Sequence, residues 1–183
     1  MRIKIVTNNL HKFLEISQIL EPYGIGVDRL DAEKLEIQHD DVKAIASAAA
    51  ERLCKIYGDY VVVEDTGLYI EALGGFPGPY AEYVYRTIGL KGVLRLLEGV
   101  SNRRAKFVCA AAICIGGEVE VFEGETWGYI VDSPRGSGGF GYDPIFMPEG
   151  ETYTYAELGE FVKNRISHRA KAFRKLAERL INR

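Results

Sequence analysis

Three short segments concentrate the side chains that could do chemistry. Thr7-Asn8-Asn9-Leu10-His11-Lys12 lies where an apolar run, Ile3 to Thr7, gives way to apolar residues at helical spacing. A helix N-terminus carries unpaired N–H groups and a partial positive charge, and here the Thr hydroxyl, Asn amide and Lys ammonium add donors. The segment suits a phosphate, although an ordinary Asn N-cap followed by a solvated lysine accounts for the same residues. Glu64-Asp65-Thr66-Gly67 places two adjacent carboxylates at the end of a β-branched run, Tyr60 to Val63. Mg²⁺ takes oxygen ligands and shares them with substrate phosphates, and Glu36, Asp40 and Asp41 lie in the preceding stretch to join such a station. Neighbouring strand residues point opposite ways, so one of Glu64 and Asp65 is expected to face it. Acids that cap the following turn are the alternative.

The third segment is Phe140-Gly141-Tyr142-Asp143, followed by Lys163 and Ser167-His168-Arg169. Aromatic faces stack on a base, a carboxylate accepts ring N–H protons, and a guanidinium donates to a keto oxygen, so together these are the parts of a purine pocket. Taken singly, Phe140 and Tyr142 suit a core, Ser167 a helix cap and His168 a satisfied structural histidine. The sequence has no GxxxxGK[ST] and no GxGxxG after a strand, which disfavours a P-loop kinase or a dinucleotide fold, and it has no GxSxG elbow.

The elements that must position these groups follow from periodicity. A strand over Ile3 to Thr7 feeds a helix through Leu20, which Pro22 and Gly24 end. Residues 25–41 are acidic and poorly patterned. A second amphipathic helix is marked by Val42, Ile45, Ala46, Ala49, Leu53 and Ile56. The strand from Tyr60 is expected to end at the carboxylates, placing them at its carboxyl end. Beyond a Gly/Pro-rich loop, 74–79, come two helices, about Tyr80 to Ile88 and Lys91 to Leu97. Gly116-Gly117 is a two-residue hairpin signal between long strands, Lys106 to Ile115 and Glu118 to Val131. A Gly-rich loop, 133–142, leads to a short strand at Pro144-Ile145-Phe146 and an irregular stretch to Ser167. The last helix buries Phe173, Leu176, Ala177, Leu180 and Ile181 and turns its cationic side to solvent. Strand-helix units with a long hairpin predict an α/β fold, a mixed sheet flanked by helices, rather than an all-parallel one.

At 183 residues the chain can bury a core without staples, and one domain spanning 1–183 is the expectation. A net charge of −3 gives no global drive toward nucleic acid, so a polyanion must meet a local basic site. With no signal-like start and no apolar run of membrane-spanning length, cytoplasmic residence and no membrane partner are expected. Cys54, Cys109 and Cys114 show no metal or disulfide spacing and read as small buried hydrophobes, the last two on opposite faces of one strand.

These segments in this order resemble the inosine triphosphate pyrophosphatase, or Ham1, family. TNNLHK resembles its TxNxxK motif, VEDTGL its [DE]D[ST]GL, GGFPGPY its GGxPGxY, FGYDPIF its FGxDPxF and KNRISHRAKA its KNxxSHRxxA. The resemblance implies an elongated two-lobed sheet with a central active-site cleft, and a homodimer. It implies hydrolysis of aberrant purine nucleoside triphosphates (ITP, dITP, XTP) to monophosphate and pyrophosphate with Mg²⁺. Thr7, Asn9 and Lys12 then hold the triphosphate, Glu36 and Asp65 the metal, with Asp65 also the general base. Thr66 contacts substrate, and Phe140, Tyr142, Asp143, Lys163, His168 and Arg169 bind the nucleoside. Tyr142 stands where Trp is frequent, which bears on stacking strength. A nucleotide phosphatase or phosphotransferase using the same phosphate cradle is the rival enzyme class. A nucleotide-sensing or RNA-binding module is the non-enzymatic rival, opposed by the acidic balance.

Overall fold

A computed structural model describes residues 1–182. The chain opens with β1 (Arg2–Val6) and α1 (Leu10–Leu20). It continues through β2 (Gly26–Arg29), α2 (Val42–Tyr57), β3 (Val61–Ile70), β4 (Pro77–Gly78), α3 (Ala81–Thr87) and α4 (Gly89–Leu96). The hairpin β5 (Arg104–Ile115) and β6 (Glu118–Ile130), β7 (Phe146–Pro148), α5 (Tyr155–Ile166) and α6 (His168–Ile181) complete it.

The strands form one mixed sheet in the order β2-β1-β3-β5-β6-β7, with β4 paired to β3. β1 runs parallel to β2 and β3, whereas β3, β5, β6 and β7 are antiparallel neighbours. α1 and α6 cover one face over Ile3, Ile5, Val62 and Phe173, and α2 covers the other over Val61, Val63 and Leu53. A third core, around Leu68, Phe107, Ile145 and Tyr155, lies toward the other end of β3 and β5. Alternation along β3 explains the division, since Val62 and Val63 face different cores.

Three elements differ from the sequence expectation. The poorly patterned stretch after Gly24 contains β2, which has no fully buried residue and so shows no apolar signature. β3 does not end at the carboxylates but runs on to Ile70, so Glu64 and Asp65 lie mid-strand. Its pairing with β5 is unbroken from Val62 to Ile70, but its pairing with β1 stops at Val63, where β1 has run out at Val6. The loop after β1 therefore opens directly beside the two acids. The expected irregular stretch before Ser167 holds α5, started by a capping box between Thr154 and Glu157 and interrupted at Gly159, with φ of 80°. That break scatters the apolar spacing on which a helix would be recognised.

Smaller corrections concern β7, which starts at Phe146 rather than Pro144, and Ile181, which is exposed rather than part of the buried stripe of α6. Cys54 and Cys114 are joined by a disulfide, with Cα atoms 5.5 Å apart, between α2 and β5. Their distance in sequence hid a pairing that helix-on-sheet packing creates. Cys109 is free, buried and on the opposite face from Cys114, as expected.

Candidate active site

The turn from β1 into α1 is held by its own polar groups. Thr7 Oγ1 accepts from Asn9 N at 3.1 Å, and Asn9 Oδ1 accepts from Lys12 N at 3.1 Å. The N-cap expected as an alternative is thus present, and it leaves the Asn9 amide N–H groups as donors. One turn on, Lys12 reaches Glu64 Oε2 at 2.9 Å. Thr7, Asn9, Lys12, Lys34, Glu36, Glu64, Asp65 and Thr66 line one cavity of about 740 Å³. Lys12 and Thr66 also line an adjoining cavity of about 510 Å³, with Phe140, Tyr142, Asp143, Lys163, His168 and Arg169. The expected triphosphate, metal and nucleoside residues therefore reach one of two contiguous hollows, whereas Asp40, Asp41 and Ser167 line neither, Asp41 and Ser167 serving as the N-caps of α2 and α6.

The two acids of β3 differ in company. Glu64 points to the α1/α6 side, where its carboxylate accepts from Thr66 Oγ1 and pairs with Arg169 Nη2 at 3.1 Å. Burial opposes its ionisation, but Lys12 and Arg169 outweigh this and hold it well below the usual carboxylate range. Asp65 points the other way, 3.9 Å from Lys34 Nζ, and its buried Oδ2 has no hydrogen-bond partner among the described residues. Burial pushes the Asp65 carboxyl up to about 6 despite Lys34 and Lys12. Both acids nonetheless line the larger cavity, beside the point where β1 has run out at Val6. The expectation that only one would do so is corrected.

Glu36 is half exposed and pairs with Lys34 at 2.5 Å. Among the described residues no three His, Cys, Asp or Glu side chains are arranged as a complete metal cage. An unpartnered carboxylate oxygen on Asp65, with Glu36 on the same cavity, still fits a hard divalent cation that completes its shell with water and phosphate oxygens.

The smaller cavity is walled by a buried ionic network. Glu15 binds Lys163 Nζ and Arg169 Nη1, each at 2.6 Å, and Lys163 also binds Asp143 Oδ2 at 2.7 Å. That Asp143 oxygen also accepts from Phe140 N at 3.0 Å, fixing the loop that carries Phe140. Lys163 Nζ lies 4.5 Å from the centre of the Phe140 ring. His168 stacks on Phe107 at 4.6 Å, and burial beside Arg169 and Lys163 depresses its basicity so that it stays neutral. Tyr142 is buried, donates to Ala81 O at 2.6 Å and belongs to the third core, so Phe140 is the more accessible aromatic face. The start of α6 is set by close approach to the sheet: a Cβ on Gly124 of β6 would meet His168 O at 2.2 Å.

Sequence reasoning missed Glu15, Lys34 and the pairing role of Glu64. Glu15 had a signal: it sits three residues after Lys12 and beside Ile16 on the buried arc of α1, and an acid there demands a cationic partner. Lys34 had none, since it lies in an extended stretch without periodicity. His11 was also passed over; its ring stacks on Phe140 at 5.1 Å.

Comparison with known proteins places this arrangement. A protein named dITP/XTP pyrophosphatase from Pyrobaculum aerophilum is 73% identical over 183 residues, covering 100% of this chain and 98% of its own. Another of that name from Ignicoccus hospitalis is 52% identical, covering 98% and 96%. The structure of a HAM1 protein from Coxiella burnetii aligns over 100% of both chains with a TM-score of 0.85 at 29% identity. The Staphylococcus aureus Ham1 protein gives 0.78 at 30% identity over 100% and 99%. The Ham1 family model matches residues 3–179, and with it the strand, helix-start and C-terminal segments that meet in the cleft: the chain belongs to the Ham1 family.

Proposed function

We propose that the chain is a Mg²⁺-dependent dITP/XTP pyrophosphatase, cleaving aberrant purine nucleoside triphosphates to monophosphate and pyrophosphate. The observation that carries the reading is the junction of the two cavities at Lys12 and Thr66. One hollow offers an aromatic face and buried donors, the other a helix N-terminus and carboxylates, so a nucleotide lying across both puts its α-phosphorus between Lys12 and Asp65. The name that the Pyrobaculum and Ignicoccus relatives bear supports the same chemistry.

Asp65 serves as the base that takes a proton from water attacking the α-phosphorus. A carboxyl near 6 is mostly ionised at neutral pH yet basic enough to hold a proton in the transition state. Glu36 and Asp65 would hold Mg²⁺, which would supply Lewis-acid polarisation of the phosphate oxygens. Lys12 and the N–H groups opening α1 hold the charge of the departing pyrophosphate. Thr7 and Asn9 orient the triphosphate, and Thr66 its α-phosphate end.

Phe140 stacks on the base, with Tyr142, Asp143 and His168 shaping the pocket around it. Lys163, which spends two of its three N–H donors on carboxylates, and Arg169 present only donors to the purine edge. A keto oxygen satisfies them, whereas adenine's amine opposes donor with donor and leaves buried groups unpaired, at a cost of several kcal/mol, to order of magnitude. A homodimer belongs to the same reading, supported by the exposed Phe76, Tyr80 and Tyr83 around β4 and α3; sedimentation would check it.

The deciding experiment is a panel of ITP, dITP, XTP, GTP and ATP with Mg²⁺, scored for pyrophosphate against orthophosphate. Pyrophosphate from ITP, dITP and XTP, with ATP at least about a hundredfold slower, is expected. Asp65→Asn should remove turnover while leaving the fold intact. Orthophosphate as product, or equal rates on ITP and ATP, would overturn the reading.

A further inference from the structure

Lys34 occupies an unusual position for a lysine. Its ammonium donates to Glu64 O at 2.8 Å, pairs with Glu36 at 2.5 Å and lies 3.9 Å from Asp65 Oδ1, and its side chain is only 18% exposed. The segment that carries it, residues 30–39, has no helix or strand to fix it. Among the described residues, a hydrogen bond to the β3 backbone and ion pairs with Glu36 and Asp65 tie the side chain to the cleft.

We infer that Lys34 is a tethered counter-cation for the carboxylates of the phosphate cavity, and that it competes with the divalent ion for Glu36 and Asp65. The inference rests on the reading of those two acids as metal ligands. The geometry supports it in two ways. The ammonium sits on the open side of the acids, bonded to one of the two proposed ligands and within Coulomb range of the other. Asp65 directs one oxygen at Lys34 and leaves Oδ2 unpartnered, the posture of a group half satisfied by one cation and able to accept a second.

A divalent ion seated between Glu36 and Asp65 cannot share that place with an ammonium 2.5 Å from the first, because like charges so close repel. Lys34 must then release Glu36, and its long flexible stem lets it turn toward solvent or toward a phosphate. The cleft is thereby kept from collapsing into repelling carboxylates when empty, and metal binding is weakened until a nucleotide brings additional oxygen ligands.

The test compares wild type, Lys34→Met and Lys34→Arg by titration with Mn²⁺ in the absence of nucleotide, read by water-proton relaxation. Lys34→Met keeps the length of the side chain without its charge and should bind Mn²⁺ about five- to tenfold more tightly, while Lys34→Arg should stay near wild type. The wild-type protein gives a second readout that needs no variant to fold. Labelling of Lys34 by acetic anhydride, followed by mass spectrometry, should increase when Mg²⁺ is added. Equal or weaker Mn²⁺ binding by Lys34→Met, or labelling of Lys34 that does not increase with Mg²⁺, overturns the inference. Failure to release pyrophosphate from any nucleoside triphosphate would overturn the functional reading and leave the Mn²⁺ comparison separately interpretable.

Discussion

At the scale of single residues, Glu15 shows how much of a binding site is decided behind the surface that meets the ligand. It is 4% exposed and touches the two cations, Lys163 and Arg169, that line the smaller cavity. Burial would push its carboxyl up, yet Arg169 and Lys163 together hold it below its ordinary value of 4.5. A carboxyl depressed in the folded state contributes stability that is present above its unfolded value and lost as pH falls through the folded one. Glu15→Gln should therefore lower the melting temperature at pH 7, since removing one member of a buried ion network costs about 3–5 kcal/mol. It should also flatten the loss of stability below about pH 4.5. Thermal melts across pH 3 to 7 check both; a variant that keeps the wild-type acid slope would show that other carboxylates set it. The legible residues were those whose types already matched a ligand: Lys12, Asp65, Phe140 and Arg169. Glu15 betrays only that it needs cationic partners, because those partners, Lys163 and Arg169, lie 148 and 154 residues away in sequence; Lys34 escaped because it lies in a stretch without periodicity.

At the scale of elements, strands and helices with strong periodicity were readable and those held by tertiary context were not. α1, α2, α6 and the β5–β6 hairpin carry their apolar spacing and turn residues in the sequence. β2 is recruited by parallel pairing to β1, and β3 is prolonged past the carboxylates by its pairing to β5, which outweighs the polar character of Glu64, Asp65 and Thr66. The disulfide between α2 and β5 belongs at this scale too. It closes a loop of 60 residues, and loop-closure entropy assigns such a crosslink about 4 kcal/mol. Neither cysteine lines either cavity of the candidate site. Cys54→Ser with Cys114→Ser should lower the melting temperature markedly and leave turnover of ITP at moderate temperature within about twofold of wild type. A loss of turnover without loss of stability would mean that α2 transmits something to the cleft beyond its packing.

At the scale of the whole molecule, charge is the argument for the proposed joint binding of nucleotide and divalent cation. The chain is net negative, and its cleft is nearly self-neutralised: Lys12, Lys34, Lys163 and Arg169 face Glu15, Glu36, Glu64, Asp65 and Asp143. These pairs leave little spare positive charge for a triphosphate, whose several negative charges would meet Asp65 and Glu36 directly. On the proposed reading, a divalent ion held by both acids would reverse that repulsion. Binding to the folded state alone raises the melting temperature in proportion to the logarithm of ligand over its dissociation constant. A slowly hydrolysed ITP analogue should therefore raise the melting temperature by several degrees with Mg²⁺ present and by much less with chelator. Mg²⁺ alone should give only a small rise, because Lys34 already serves the same carboxylates. Equal stabilisation by the analogue with and without Mg²⁺ would show that the cationic side chains suffice to hold the triphosphate, and would remove the charge argument for a metal between Glu36 and Asp65.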